Sequence, residues 1–120
     1  LDTAMLAKVV AQFEEVDPER IGAMGGSQGG GLTLACSALA NIKMAAPMYP
    51  FLCDYKRVWE MDLAKGAYAE IRDHLRRRHP NHTEAEAFWA KLGYIDNQHL
   101  APRIKAKTLM AVGLMDDICP

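Results

Sequence analysis

With 120 residues, half of them apolar, and a formal net charge of -1, the chain has the size and composition of one folded domain rather than of a disordered tail. A near-neutral chain lacks the basic face by which nucleic acids or anionic membrane surfaces are held, so the partners to expect are small neutral or mildly polar molecules. No apolar run approaches the ~20 residues that span a bilayer, and the opening LDTAMLAKVVAQF lacks the basic-then-apolar plan of a secretory signal; a cytoplasmic setting is expected.

The first element predicted is a helix over residues 3–14, where Met5, Leu6, Val9, Val10 and Phe13 recur at helical spacing and should form one buried face. The chain enters this helix at Leu1 and stops at Pro120 just after a strand-like run, so residues 1–120 read as an internal fragment of a single domain. DPER at 17–20 is a turn signal, and the short apolar run 21–24 predicts a buried strand that ends at Gly25. Small and apolar residues over 29–39 predict a helix able to lie close against a sheet. Residues 42–49 predict a second strand, although Pro47 has no N–H to give to a ladder.

Three further helical stretches follow, 54–61, 67–78 and 83–92, the last with Thr83 as N-cap and Glu86 completing a capping box. They form an excursion from the sheet. Residues 107–113, KTLMAVG, predict a third strand, continuous in its apolarity, and carboxylates appear in the LMDDICP run at its carboxyl end. Strands that alternate with helices and are apolar throughout indicate a parallel sheet, hence an α/β fold.

The chemistry concentrates in MGGSQGGG at 24–31. Gly25, Gly26, Ser27, Gln28 and Gly29 match G-x-S-x-G, with a strand predicted before and a helix after, which is the context that gives this motif its meaning. A serine at the tip of such a turn holds its hydroxyl above the carboxyl edge of the sheet, at strained backbone angles, and neighbouring chain passes so close that a Cβ at Gly25 or Gly29 should collide. The Gln28 N–H, opening the helix, is placed to meet a developing oxyanion. Two rival readings stand beside this one: a phosphate-binding glycine loop, whose registers G-x-x-x-x-G-K-[ST] and G-x-G-x-x-G are not matched, and a glycine turn with no chemistry.

A serine nucleophile needs a base and an orienting acid, in the chain order nucleophile, acid, histidine for this architecture. Asp116, three residues past Gly113, is the expected acid, and its neighbour Asp117 the expected solvated turn residue. His74, His79, His82 and His99 all precede Asp116 and so fall outside that order. The first three mix with Arg76, Arg77 and Arg78 at a helix end, where cations complement the dipole, and a solvated face is the expectation there rather than a metal site. Cys36, Cys53 and Cys119 are an odd set without CxxC spacing, expected as buried thiols, with no zinc knuckle or disulfide framework.

Three segments, RIGAMGGSQGGGLTLACSAL, YPFLCDYKRVWEMDL and GYIDNQHLAPRIKAKTLMAVGLMDDICP, together resemble the acetyl xylan esterase and cephalosporin-C deacetylase family of α/β-hydrolases. The resemblance covers nearly the whole chain and implies a partial α/β-hydrolase fold, with Ser27 as nucleophile, Gln28 as an oxyanion-hole donor and Asp116 as triad acid. It implies a histidine beyond Pro120 as the base, a tyrosine upstream of Leu1 as the second oxyanion contact, and no metal or other cofactor. Substrates would be acetylated xylo-oligosaccharides and cephalosporin C, the assembly a cytoplasmic homo-hexamer, and Tyr49, Pro50 and Phe51 a segment near a small acyl pocket. Pro47, where relatives commonly carry a small strand residue, and His99, where many carry Asn, depart from the family pattern. A peptidase of the same fold and a non-catalytic binding protein are the alternatives.

Overall fold

A computed structural model describes residues 1–79 and 85–120. In chain order it contains helix α1 (Asp2–Val10), strand β1 (Gly22–Gly26), helix α2 (Gln28–Leu39), strand β2 (Met44–Met48), helices α3 (Tyr55–Glu60), α4 (Ala69–Arg78) and α5 (Ala85–Leu92), and strand β3 (Lys107–Thr108). Short 3-10 turns join them, at Pro18–Arg20, Gly66–Tyr68 and three times between Gly93 and Arg103. The strands form one parallel sheet in the order β1-β2-β3, with Gly22 opposite Met44, Gly26 opposite Met48, and Met44 opposite Lys107. Because all three run the same way, the turn after β1, the loop after β2 and the segment after β3 emerge at one edge of the sheet. The α/β fold with three parallel strands is therefore as the sequence predicts.

Pro47 sits on the middle strand, opposite Gly25, and is fully buried. The strand keeps its register through it because the proline is the last residue but one, and its carbonyl still accepts the Ala111 N–H at 3.1 Å. The third strand is shorter than the predicted 107–113. Pairing nevertheless persists beyond it: Leu109 N–H donates to Ala45 O at 3.0 Å, and Tyr49 N–H to Ala111 O at 2.6 Å.

Burial corrects two readings of the sequence. In α1 the buried residue is Ala4, while Met5, Leu6 and Val9 are exposed; the helix ends at Val10, short of the predicted 14, and leaves Phe13 exposed beyond it. Small residues win that contact because the helix approaches α2 closely enough for the Cys36 thiol to reach the Thr3 carbonyl at 3.6 Å, and Ala7 packs beside Cys36, Ile42 and Ala45. The run at 21–24, expected as a buried strand, has no fully buried residue, with Met24 74% exposed, because nothing among the described residues covers that side; the outer segment 107–113 is exposed as well.

The helical excursion has its own core: Tyr55, Val58, Ala64, Tyr68, Ile71 and Leu75, joined by Phe51, Phe88 and Trp89. Asp54, at left-handed φ 46°, caps α3 by accepting the Arg57 N–H. The predicted cap at Thr83, like His82, lies outside the described residues, and α5 is described from Ala85.

Candidate active site

Between β1 and α2 the chain reverses in a single residue. Ser27 takes φ 53° and ψ -119°, angles that a residue with a Cβ rarely adopts, and its side chain is exposed at the carboxyl edge of the sheet. Hydrogen bonds on both sides hold it there: Ser27 N–H donates to Met48 O at 3.0 Å, and Ser27 O accepts from Gly31 N–H at 3.1 Å and from Phe51 N–H at 2.9 Å. The Ser27 turn is thereby sewn to the end of β2 as well as to its own helix.

The glycines permit this closeness, though not all for the reason the sequence suggested. A Cβ on Gly25 would stand 2.6 Å from the carbonyl carbon and oxygen of Gly29. One on Gly26 would meet the Tyr49 hydroxyl at 2.9 Å. At Gly29 the expected collision is absent, since nothing lies within 4 Å of an added Cβ; the crowding belongs to the Gly25 side. Two glycines that the motif does not contain are as tightly placed. A Cβ on Gly30 would press on Met48 O at 2.7 Å and Pro50 Cα at 2.9 Å, and one on Gly31 would overlap the Phe51 carbonyl. The signal for them was present in the unbroken run Gly29-Gly30-Gly31, which a helix would not carry without a packing reason.

Gln28 is the first residue of the 12-residue α2, so its N–H stands at the positive end of the helix beside Ser27. The buried hydroxyls of this helix are satisfied by its own backbone, Thr33 donating to Gly29 O at 2.8 Å and Ser37 to Thr33 O at 2.7 Å.

Past β3, Asp116 accepts two backbone hydrogen bonds on Oδ1, from Cys119 N–H at 2.8 Å and from Ile118 N–H at 2.9 Å. These hold its carboxyl below the ordinary aspartate range, the Cys119 bond contributing most. The chain then turns back to Ser27. The Cys119 thiol lies against Ser27, whose hydroxyl draws the thiol pKa down while burial, the larger effect, pushes it up. Ser27 and the Asp116 turn thus share one neighbourhood, with Cys119 as the link. Asp117 is exposed. Of the thiols only Cys36 is fully buried, while Cys53 and Cys119 are half-buried.

Of the aromatic segment after β2, Tyr49 is 45% exposed with its hydroxyl beside Gly26, and Pro50 lies against Gly30. Phe51 points away into the excursion's core, its ring 4.6 Å from that of Tyr68. His74 stacks on Phe88 at 4.8 Å, and His99 sits beside Gly93. Among the described residues no three His, Cys, Asp or Glu side chains converge as a metal site.

Comparison with known proteins gives one answer. The family described as acetyl xylan esterase (AXE1) matches residues 1–120. Among solved structures, acetyl xylan esterase 1 from Thermoanaerobacterium sp. JW/SL YS485 is similar at 55% identity and a TM-score of 0.96, over 99% of this chain and 38% of that one. Acetyl xylan esterase from Paenibacillus sp. R4 is similar at 45% identity and a TM-score of 0.93, over 100% of this chain and 38% of that one. The chain therefore spans 38% of the length of these relatives.

Proposed function

The chain belongs to the acetyl xylan esterase family, and from that premise we propose that it carries the nucleophile and acid of a serine carboxylesterase that removes acetyl groups from acetylated xylo-oligosaccharides and from cephalosporin C. The observation that carries this reading is Ser27 itself, at φ 53° on the single-residue turn between β1 and α2, with Cys119 of the Asp116 turn against it.

Ser27 Oγ attacks the acetyl carbonyl carbon while a histidine base, supplied by sequence beyond Pro120, takes the hydroxyl proton. The negative charge that develops on the carbonyl oxygen is met by the Gln28 N–H and the positive end of α2. Collapse of the tetrahedral intermediate returns the proton to the departing sugar or antibiotic oxygen and leaves acetyl-Ser27. Water, deprotonated by the same base, attacks that ester, and acetate leaves as Ser27 recovers its proton. Asp116 remains ionised throughout and orients the base.

The family relationship also supports a homo-hexameric, cytoplasmic protein that needs no cofactor, and a small acyl pocket beside Tyr49 and Pro50. The 120 residues alone are expected to be inactive, since loss of the histidine costs a serine hydrolase of the subtilisin type ~10⁶ in kcat.

The test is hydrolysis of p-nitrophenyl acetate, the butyrate ester and an aminoacyl ester by the full-length protein and its Ser27→Ala variant. Preference for acetate, lost by ~10⁶ in the variant, is the expected result. Full activity in Ser27→Ala, or preference for the aminoacyl ester, would overturn the proposal.

A further inference from the structure

The loop that follows β2 carries an unusual concentration of backbone strain. Tyr49, Leu52 and Asp54 have φ of 34°, 67° and 46°, three non-glycine residues in the left-handed region within six positions. This loop is also the floor of the nucleophile turn, since the Phe51 N–H holds Ser27 O, Pro50 backs Gly30 and the Phe51 carbonyl backs Gly31. A strained segment keeps its shape only where its surroundings over-determine it.

What fixes it comes from more than forty residues further along the chain. Asp96, 4% exposed, accepts the Asp54 N–H at 2.8 Å and the Gln98 N–H at 3.0 Å on Oδ1, and the Tyr55 N–H and the Gln98 Nε2 at 3.0 Å each on Oδ2. The next residue, Asn97, donates its N–H to Leu52 O at 3.0 Å and its Nδ2 to Gly31 O, also at 3.0 Å. The pair therefore grips the strained loop at Leu52, Asp54 and Tyr55, and the nucleophile helix at Gly31.

We propose that Asp96 is a positioning residue for Ser27, locking the 49–54 loop in the conformation that holds the nucleophile turn for attack. The proposal rests on the serine-esterase reading above. Asp96 touches no reacting atom; it acts through the loop.

Asp96→Asn in the full-length protein keeps the side chain's size but leaves one acceptor oxygen where four donors converge. With active sites counted by fluorophosphonate labelling of Ser27, kcat per labelled site on p-nitrophenyl acetate is expected to fall ~10–100-fold, the scale of a small misplacement of a reacting group. A role confined to stability would lower the melting temperature and leave kcat per labelled site unchanged, and that result overturns the proposal. Should Asp96→Asn not fold, Gln98→Ala removes one donor to the carboxylate from an exposed residue, and a severalfold loss per site is expected. An unchanged kcat there overturns the proposal equally. Absence of labelling in the wild type would instead bring down the serine-esterase reading, and this inference with it.

Discussion

Gly25 and Gly29 face each other across the Ser27 turn asymmetrically: a Cβ on Gly25 would lie 2.6 Å from the backbone carbonyl of Gly29, whereas a Cβ on Gly29 would find open space. Backbone cannot yield as the end of a flexible side chain can. Gly25→Ala is therefore expected to destabilise the full-length protein by ~1–3 kcal/mol, the usual scale of overpacking, and to displace Ser27 with a matching loss of esterase activity. Gly29→Ala, inside the first turn of α2, is expected to be neutral or to stabilise by ~0.4–1 kcal/mol through the unfolded chain. Urea unfolding of both variants checks this, and equal effects would refute the asymmetry.

The asymmetry also marks where sequence reading reaches its limit. The β1, Ser27, α2 unit was legible because a strand, a glycine turn and a helix leave local signatures within twenty residues. The apolar stripe of α1 and the run at 21–24 do mark ordered elements, but they overstate how far those elements are buried. Periodicity says which residues could share a face, while the neighbours that cover a face are settled by tertiary packing. Asp96 and Asn97 were missed altogether, because their partners, Asp54, Tyr55, Leu52 and Gly31, lie more than forty residues away and no local pattern announces such a bond. Nor does any local pattern signal that Cys119, expected as a buried thiol, meets Ser27, a contact made only by the fold.

Cys53 offers a chemical check on that packing. Burial pushes its thiol pKa up to about 11, reinforced by the negative charges of Asp96 and Asp54 and only partly offset by the Asn97 side chain. Since the thiolate is the reactive form, alkylation by iodoacetamide should be slow at neutral pH and rise about tenfold per pH unit until the pH approaches that value. Mass spectrometry of Cys53 peptides follows the rate. A plateau near the ordinary thiol value of roughly 8.5 would show that the site is open to water.

Asp116 links its own turn to pH. Its folded pKa is depressed by the Cys119 and Ile118 N–H bonds, so the unfolded chain binds a proton more readily than the folded one in the acid range. Its stabilising contribution is complete above the ordinary aspartate value and is lost as pH falls through the lower folded value. Asp116→Asn cannot titrate. The gap in melting temperature between wild type and Asp116→Asn should therefore be constant at neutral pH and shrink on acidification through that window. A gap that widens with acid would mean that the two backbone bonds do not favour the carboxylate.

Ser27 combines the strain and the chemistry in one residue, and substitution can separate them. At φ 53° and ψ -119° a side chain costs ~1–3 kcal/mol of backbone energy, which only glycine avoids. Glycine in turn gives up ~0.5–1 kcal/mol relative to alanine through the freedom of its unfolded chain. The first quantity exceeds the second, so Ser27→Gly should be more stable than Ser27→Ala by about 1 kcal/mol, the reverse of the order expected in a helix or strand. Both variants lack the hydroxyl and should be equally inactive, so their difference in thermal unfolding isolates the backbone contribution from any loss of the contact with Cys119. An alanine variant as stable as the glycine one would mean that the turn is relaxed, and that the position of the hydroxyl is not being held against strain.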